Sequence, residues 1–149
     1  MKNNGTSGYV IDSRNISGWY KGSGRLSLES LKKTAEALNR LDMKGYFVLR
    51  GGDLKGLEMR GALQDFRKFI EDQGSVIVET ASCDDETVIS IARQLDAHIL
   101  SNDFYRDHVN GISDPGEKKE LSQYLATHRN GFVWADGNLI VISPEIGGC

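Results

Sequence analysis

Apolar residues along this chain come in two kinds of pattern: short unbroken runs, and longer stretches with helical spacing. Tyr9-Val10-Ile11, Tyr46-Phe47-Val48-Leu49-Arg50, Ser75-Val76-Ile77-Val78-Glu79 and His98-Ile99-Leu100 are short runs of buried-strand type. Between the first two, Leu28, Leu31, Ala35, Leu38 and Leu41 recur at helical spacing. Ser27 is a good N-cap for that helix, and Gly45 is read as its stop. A second helix is expected from about Leu57 to Asp72, with Leu63, Phe66, Phe69 and Ile70 facing the core and Gly74 ending it. A third begins near Asp85 and turns Val88, Ile89, Ile91, Ala92 and Leu95 inward. A Gly/Pro-containing loop at 110–116 then leads to a charged helix from about Glu117 to Thr127. The pattern closes on two apolar runs, Gly131–Trp134 and Leu139–Ile142, around Asp136-Gly137, a strong hairpin signal.

Strands alternating with helices predict an α/β fold: a mainly parallel central sheet, helices on both faces and a C-terminal hairpin. The 149 residues suit one domain spanning 1–149. In such sheets the crossovers are right-handed and ligands bind beyond the carboxyl ends of the strands. Carboxylates stand at those ends. Asp12 closes the first strand, Asp84 and Asp85 follow the third, and Asp103 follows the fourth. Asp107 comes four residues later and shares a face with Asp103 if that segment is helical. Like charges at close range repel, so a divalent metal is the simplest partner that makes such a cluster favourable. An all-carboxylate set suits a hard ion, magnesium or manganese.

Asp12, at a strand terminus, has little capping work to do, but the other residues each have a structural alternative. Asp84 is a natural N-cap for the helix near Asp85, and Asp85 suits its first turn. Asn15 could serve only an Asx turn. Asp103 could cap the next turn, and Asp107 could be a solvated partner of Arg106. His98, His108 and His128 sit apart and none is read as a ligand, while Cys83 reads as a small buried residue. The stretch 13–25 is expected to be a Gly/Ser loop interleaving aromatic and basic residues. There Lys21 and Arg25 would meet phosphates while Trp19 and Tyr20 stack on bases.

The net charge of −3 argues weakly against a nucleic-acid partner. Setting the five aspartates of the cluster aside leaves a small positive excess, and a bound metal would invert the sign of the site itself. Charge therefore does not exclude RNA. Two cysteines give neither a disulfide framework nor a zinc spacing. No run is long enough to span a bilayer and no apolar signal core begins the chain, so a cytoplasmic, membrane-free protein is expected.

Three stretches together carry a family resemblance: Val10-Ile11-Asp12-Ser13-Arg14-Asn15, Cys83-Asp84-Asp85-Glu86 and Ser101-Asn102-Asp103-Phe104-Tyr105-Arg106-Asp107. In order and spacing they resemble the NYN/PIN-like ribonuclease domain of the Regnase family, the CCCH zinc-finger ribonucleases, loosely over residues 8–142. The resemblance implies a PIN-like three-layer α/β/α fold and carries catalytic roles onto Asp12, Asn15, Asp84, Asp85, Asp103 and Asp107. It also implies magnesium-dependent endonucleolytic cleavage of RNA by activated water. Ser13 stands where the family usually has glycine, and no CCCH finger is present.

The expectation that follows is a Mg2+- or Mn2+-dependent endoribonuclease. Asp12, Asp85, Asp103 and Asp107 would hold metal, Asp84 would support the site, and the products would carry a 5′-phosphate and a 3′-hydroxyl. Arg14, Lys21, Arg25, Arg50 and Arg106 are candidates for contacts to the backbone of a single-stranded or structured RNA. A homodimer is compatible with this reading. Two alternatives compete. One is a non-catalytic RNA-binding or toxin–antitoxin-type PIN-like domain. The other is a magnesium-dependent phosphotransfer domain, which would need an aspartate where Arg14 stands or a lysine on the last strand.

Overall fold

A computed structural model describes residues 8–20, 26–82 and 85–143. The chain enters at β1 (Tyr9–Asp12), passes through α1 (Ser13–Trp19) and α2 (Leu28–Arg40), and returns as β2 (Gly45–Arg50). Two more helices, α3 (Gly51–Met59) and α4 (Leu63–Asp72), lead to β3 (Val76–Thr80). Then come α5 (Asp85–Leu95), β4 (His98–Leu100), α6 (Arg106–Asn110), α7 (Pro115–His128), β5 (Arg129–Ala135) and β6 (Asn138–Ile142).

The strands form one sheet in the order β3-β2-β1-β4-β5-β6. β1 to β5 run parallel, and β6 returns antiparallel to β5 as the expected hairpin. Side chains alternate across this sheet and feed two cores. Ile11, Phe47, Leu49 and Leu100 face a core shared with Leu31, Leu38, Phe66 and Ile70 of α2 and α4. Val10, Val48 and Ile99 face a second, built with Val88, Ile89 and Ala92 of α5 and Leu121 and Leu125 of α7. The fold is the expected three-layer α/β/α arrangement. Among the described residues no helix is long and apolar enough to cross a membrane.

The sheet order places a reversal at β1. The chain builds outward from β1 to β2 and β3, then returns to lay β4 on the other flank of β1. Such a switch point opens a crevice between neighbouring strands at their carboxyl ends, because the following connections diverge to opposite faces. Asp12 ends β1 and Ser101 follows β4, so both stand at that crevice.

Three local expectations are corrected. The stretch after Asp12 is not all loop: Ser13–Trp19 is helical. Ile16 is fully buried, and Ser17 accepts from Ser27 N–H (2.9 Å) and lies 3.2 Å from the Ser30 hydroxyl. Ile16 and the Ser17 hydroxyl, not an apolar stripe, hold this helix in place. Next, Leu57–Asp72 is not one helix. Gly61 takes a left-handed φ of 70° and separates α3 from α4. α3 starts directly at Gly51, where the Asp53 carboxylate accepts Arg50 N–H at 3.2 Å. Lastly, Gly45 begins β2 and does not stop α2, which ends at Arg40. A Cβ there would stand 2.8 Å from Phe47 and 2.9 Å from Leu38, so glycine permits close packing.

Candidate active site

The crevice is built around one buried carboxylate. Asp12 is 9% exposed, and its Oδ2 accepts from Tyr105 Oη–H at 2.9 Å and Ser101 Oγ–H at 3.1 Å. Burial pushes the Asp12 carboxyl above the usual carboxylate range. The two hydroxyl donors pull it back without reversing the shift, and the neighbouring charge of Asp103 adds to the rise. Tyr105 is itself pushed well above its ordinary value by burial and then by the charge of Asp12, so it stays a donor.

The loop after β4 is fastened on several sides. Ser101 Oγ also accepts Asp103 N–H (3.0 Å), and Asp103 Oδ1 accepts Tyr105 N–H (2.7 Å) in an Asx-type turn. That turn sets Tyr105 at a left-handed φ of 57°, costly for a side chain of this size. Asn102 N–H donates to Asn15 Oδ1 at 2.8 Å. The Asn102 amide pairs with the backbone of Phe132 in both directions, at 2.9 and 3.1 Å. Arg129 donates to Ser101 O at 2.8 Å, and its guanidinium lies 4.2 Å from the Phe104 ring centroid. Burial lowers the Arg129 value, opposed by Tyr105 and Asp103.

Beside Asp12, a cavity of about 280 Å3 is lined by Asp85, Asn102, Asp103, Phe104, Arg106 and Asp107. The sequence-predicted acids Asp85, Asp103 and Asp107 therefore line one hollow, while Asp12 does not line it and is tied to Asp103 through the Ser101 hydroxyl. α6 begins only at Arg106, so Asp103 and Asp107 share the cavity without sharing a helix face. Among the described residues no three His, Cys, Asp or Glu side chains already converge tightly enough to hold an ion. The donors are nonetheless all carboxylate oxygens. Magnesium commonly takes only one or two protein carboxylates and completes its shell with water and substrate phosphate, so this set fits it.

Other expected residues divide. Asn15 reaches the site, but its side-chain oxygen is engaged in holding the Asn102 backbone. Arg14 pairs with Asp53 at 2.9 Å, and Arg50 approaches the same carboxylate at 3.6 Å. Arg106 leans on Phe104, 5.0 Å from its centroid, at the cavity wall. Tyr20 is buried edge-on against Trp134 and is not available to stack on a base, whereas Trp19 is 61% exposed. Asp84, Cys83, Lys21 and Arg25 lie outside the described residues.

The pattern of residues did not single out Ser101, Tyr105, Asp53 or Arg129. Ser101 and Tyr105 lay inside the motif, yet only their placement beneath Asp12 gives them a task. Arg129 carried no signal, since its partner Ser101 is distant in sequence.

Set beside known proteins, residues 62–145, more than half of the chain, match the Zc3h12a-like ribonuclease NYN domain. The chain belongs to that family. Two solved structures of the nuclear protein-only RNase P 2 of Arabidopsis thaliana share the fold of this NYN domain. One has a TM-score of 0.67 at 22% identity over 94% of this chain, and the other 0.69 at 21% over 96%. The NYN domain spans only 30% and 31% of the length of those chains. No curated protein matches its sequence. By family this is a ribonuclease NYN domain, and the matched segment includes Asp85, Asp103 and Asp107.

Proposed function

We propose that this NYN domain is a metal-dependent endoribonuclease whose centre is the crevice between β1 and β4. One observation supports the reading: Asp85, Asp103 and Asp107 line one cavity, and the buried Asp12 at the end of β1 feels the charge of Asp103. Asp12, Asp85, Asp103 and Asp107 would hold Mg2+ or Mn2+, with Asp84 in support. Such an ion supplies a bound water of lowered pKa and neutralises charge on the phosphoryl oxygens.

The protein's own part is orientation. Ser101 and Tyr105 aim the Asp12 carboxylate, while Asn15 and Arg129 hold the loop that presents Asp103. Arg106 stands at the cavity to meet a phosphate, and Arg14, tethered by Asp53, offers a second contact farther along the strand. A cytoplasmic setting and a homodimer belong to the same proposal.

The test is cleavage of RNA with defined ends. Asp12→Asn and Asp103→Asn are each expected to lower the rate by orders of magnitude in folded protein, because asparagine keeps the shape and loses the charge. Chelator should abolish cleavage and magnesium or manganese restore it. End-mapping should find a 5′-phosphate; a 2′,3′-cyclic phosphate would make the neighbouring 2′-hydroxyl the nucleophile and overturn the mechanism. Near-wild-type rates in both variants would remove the assignment of the site.

A further inference from the structure

The ladder between β4 and β5 stops just short of the acidic cavity, and a side chain continues it. Ile99 and Leu100 pair with Arg129 and Asn130, and Ser101 N–H donates to Asn130 O at 3.0 Å. Hydrogen bonds in a parallel ladder run evenly back and forth between the strands. Phe132 N–H would therefore donate next to Ser101 O, and Asp103 N–H to Phe132 O. Both groups of the departing chain are diverted. Ser101 O accepts from Arg129 at 2.8 Å, and Asp103 N–H turns back to the Ser101 hydroxyl at 3.0 Å. The Asn102 side chain takes both places: its Oδ1 accepts Phe132 N–H at 2.9 Å, and its Nδ2 donates to Phe132 O at 3.1 Å. Gly131 leaves room for that amide, since a Cβ there would stand 3.0 Å from Asn102 Oδ1. The Asn102 main chain, released from the sheet, donates its N–H to Asn15 Oδ1 at 2.8 Å.

We infer that Asn102 is a positioning residue for Asp103. Its side-chain amide stands in for a strand peptide, so the main chain leaves the sheet and presents Asp103 to the acidic cavity while staying fastened to β5. This rests on the ribonuclease reading above and gives that reading a further residue, one that ties the site to the hairpin. The chemistry asks for asparagine. A primary amide offers a carbonyl acceptor and N–H donors together; aspartate lacks the donor, and glutamine is one methylene longer. The turn needs the fastening. Asp103 Oδ1 accepts Tyr105 N–H at 2.7 Å, and Tyr105 sits at a left-handed φ of 57°. Strain of that kind persists only where the surroundings over-determine it. The Asn102 amide supplies the hold on the β5 side and Asn15 supplies it on the α1 side. Loosening one of them shifts a carboxylate that lines the cavity, and a misplacement of about 1 Å at a reacting centre can cost roughly 100-fold in rate.

The experiment separates positioning from stability. Asn102→Ala removes the amide, and Gly131→Ala pushes on it from β5. Gly137→Ala is the control: Gly137 has a φ of 76° in the hairpin turn, so alanine strains the hairpin there without reaching Asn102. Each variant is assayed for kcat and KM on a labelled RNA at saturating magnesium. Amide hydrogen exchange over residues 101–107 is followed separately in protein free of metal and RNA. Asn102→Ala is expected to lower kcat by about 10- to 100-fold with KM within about threefold of wild type, and to speed that exchange. Gly131→Ala should do the same to a smaller extent, and the double variant should be no worse than Asn102→Ala alone, because both act on one contact. Gly137→Ala should lower the melting temperature and leave kcat, KM and the exchange unchanged. An unchanged kcat in folded Asn102→Ala would overturn the inference. So would a change in KM alone, which would make Asn102 a substrate contact, or an equal fall of kcat in Gly137→Ala, which would make hairpin stability the cause. Should Asn102→Ala fail to fold, an unchanged kcat in Gly131→Ala overturns it. A wild type that does not cleave RNA sinks the proposed function, and exchange then decides alone: equal rates in wild type and variants would show that Asn102 does not set the turn.

Discussion

Asp12 and Ser13 sit side by side at the end of β1 and are both buried, with opposite outcomes. Asp12 has hydroxyl donors, yet burial still holds its proton affinity above that of an exposed carboxylate. A carboxyl whose folded pKa is raised contributes stability below its unfolded value of about 3.9 and loses it as pH climbs through the folded value. In chelator, Asp12→Asn should therefore melt no lower than wild type at neutral pH. Its advantage should shrink as pH falls toward 4. Parallel thermal melts across that range would show this, and an advantage that grows toward acid would mean the sign is wrong. Ser13 has a buried hydroxyl with no hydrogen-bond partner. Ser13→Ala removes an unsatisfied group and suits a helix better, so a gain of up to about 1 kcal/mol is expected. A loss above that size in denaturant unfolding would show that the hydroxyl has a partner in solution.

At the scale of elements, what the sequence made legible follows from how each element is held. β1 to β4 and the hairpin stand out because their runs feed two cores, and α2, α5 and α7 because apolar spacing or a cap marks them. α1 was hidden because its contacts are a single isoleucine and a relay of serine hydroxyls. The split between α3 and α4 was hidden because it depends on the backbone angle of Gly61. The acids of the site were readable from strand ends; the Ser101, Tyr105 and Arg129 supports depend on contacts far apart in sequence. Caps and ligands can also be told apart at this scale. Asp114 accepts Glu117 N–H at 2.8 Å and is the N-cap of α7, and it does not line the acidic cavity. Asp114→Ala should cost about 0.5–2 kcal/mol, equally with magnesium and with chelator. Asp85 opens α5, and Asp85→Asn should lower stability only in the magnesium buffer. If Asp85→Asn instead behaves like Asp114→Ala in both buffers, Asp85 is helix chemistry and not a ligand.

Across the whole molecule, the site joins parts that the sheet otherwise keeps separate. β1 supplies Asp12, α5 follows β3 at one edge of the sheet, and the loop after β4 lies on the opposite flank of β1. Under the proposed metal site, an ion held between them would link both halves of the sheet, and it would bind the folded chain because the unfolded chain scatters those carboxylates. Magnesium at ten times its dissociation constant should then stabilise the wild type by about 1.4 kcal/mol. For a chain of this length that corresponds to a rise of roughly 3–6 °C in melting temperature. Asp103→Asn should shrink the increment because it removes one ligand and one source of repulsion together. Asp72→Asn is the internal control: its carboxylate pairs with Lys68 at 3.1 Å on the exposed face of α4, remote from the crevice. That variant should keep the full magnesium increment. Equal loss of the increment in both variants would make the magnesium effect a diffuse screening of surface charge, and the crevice would cease to be the metal site.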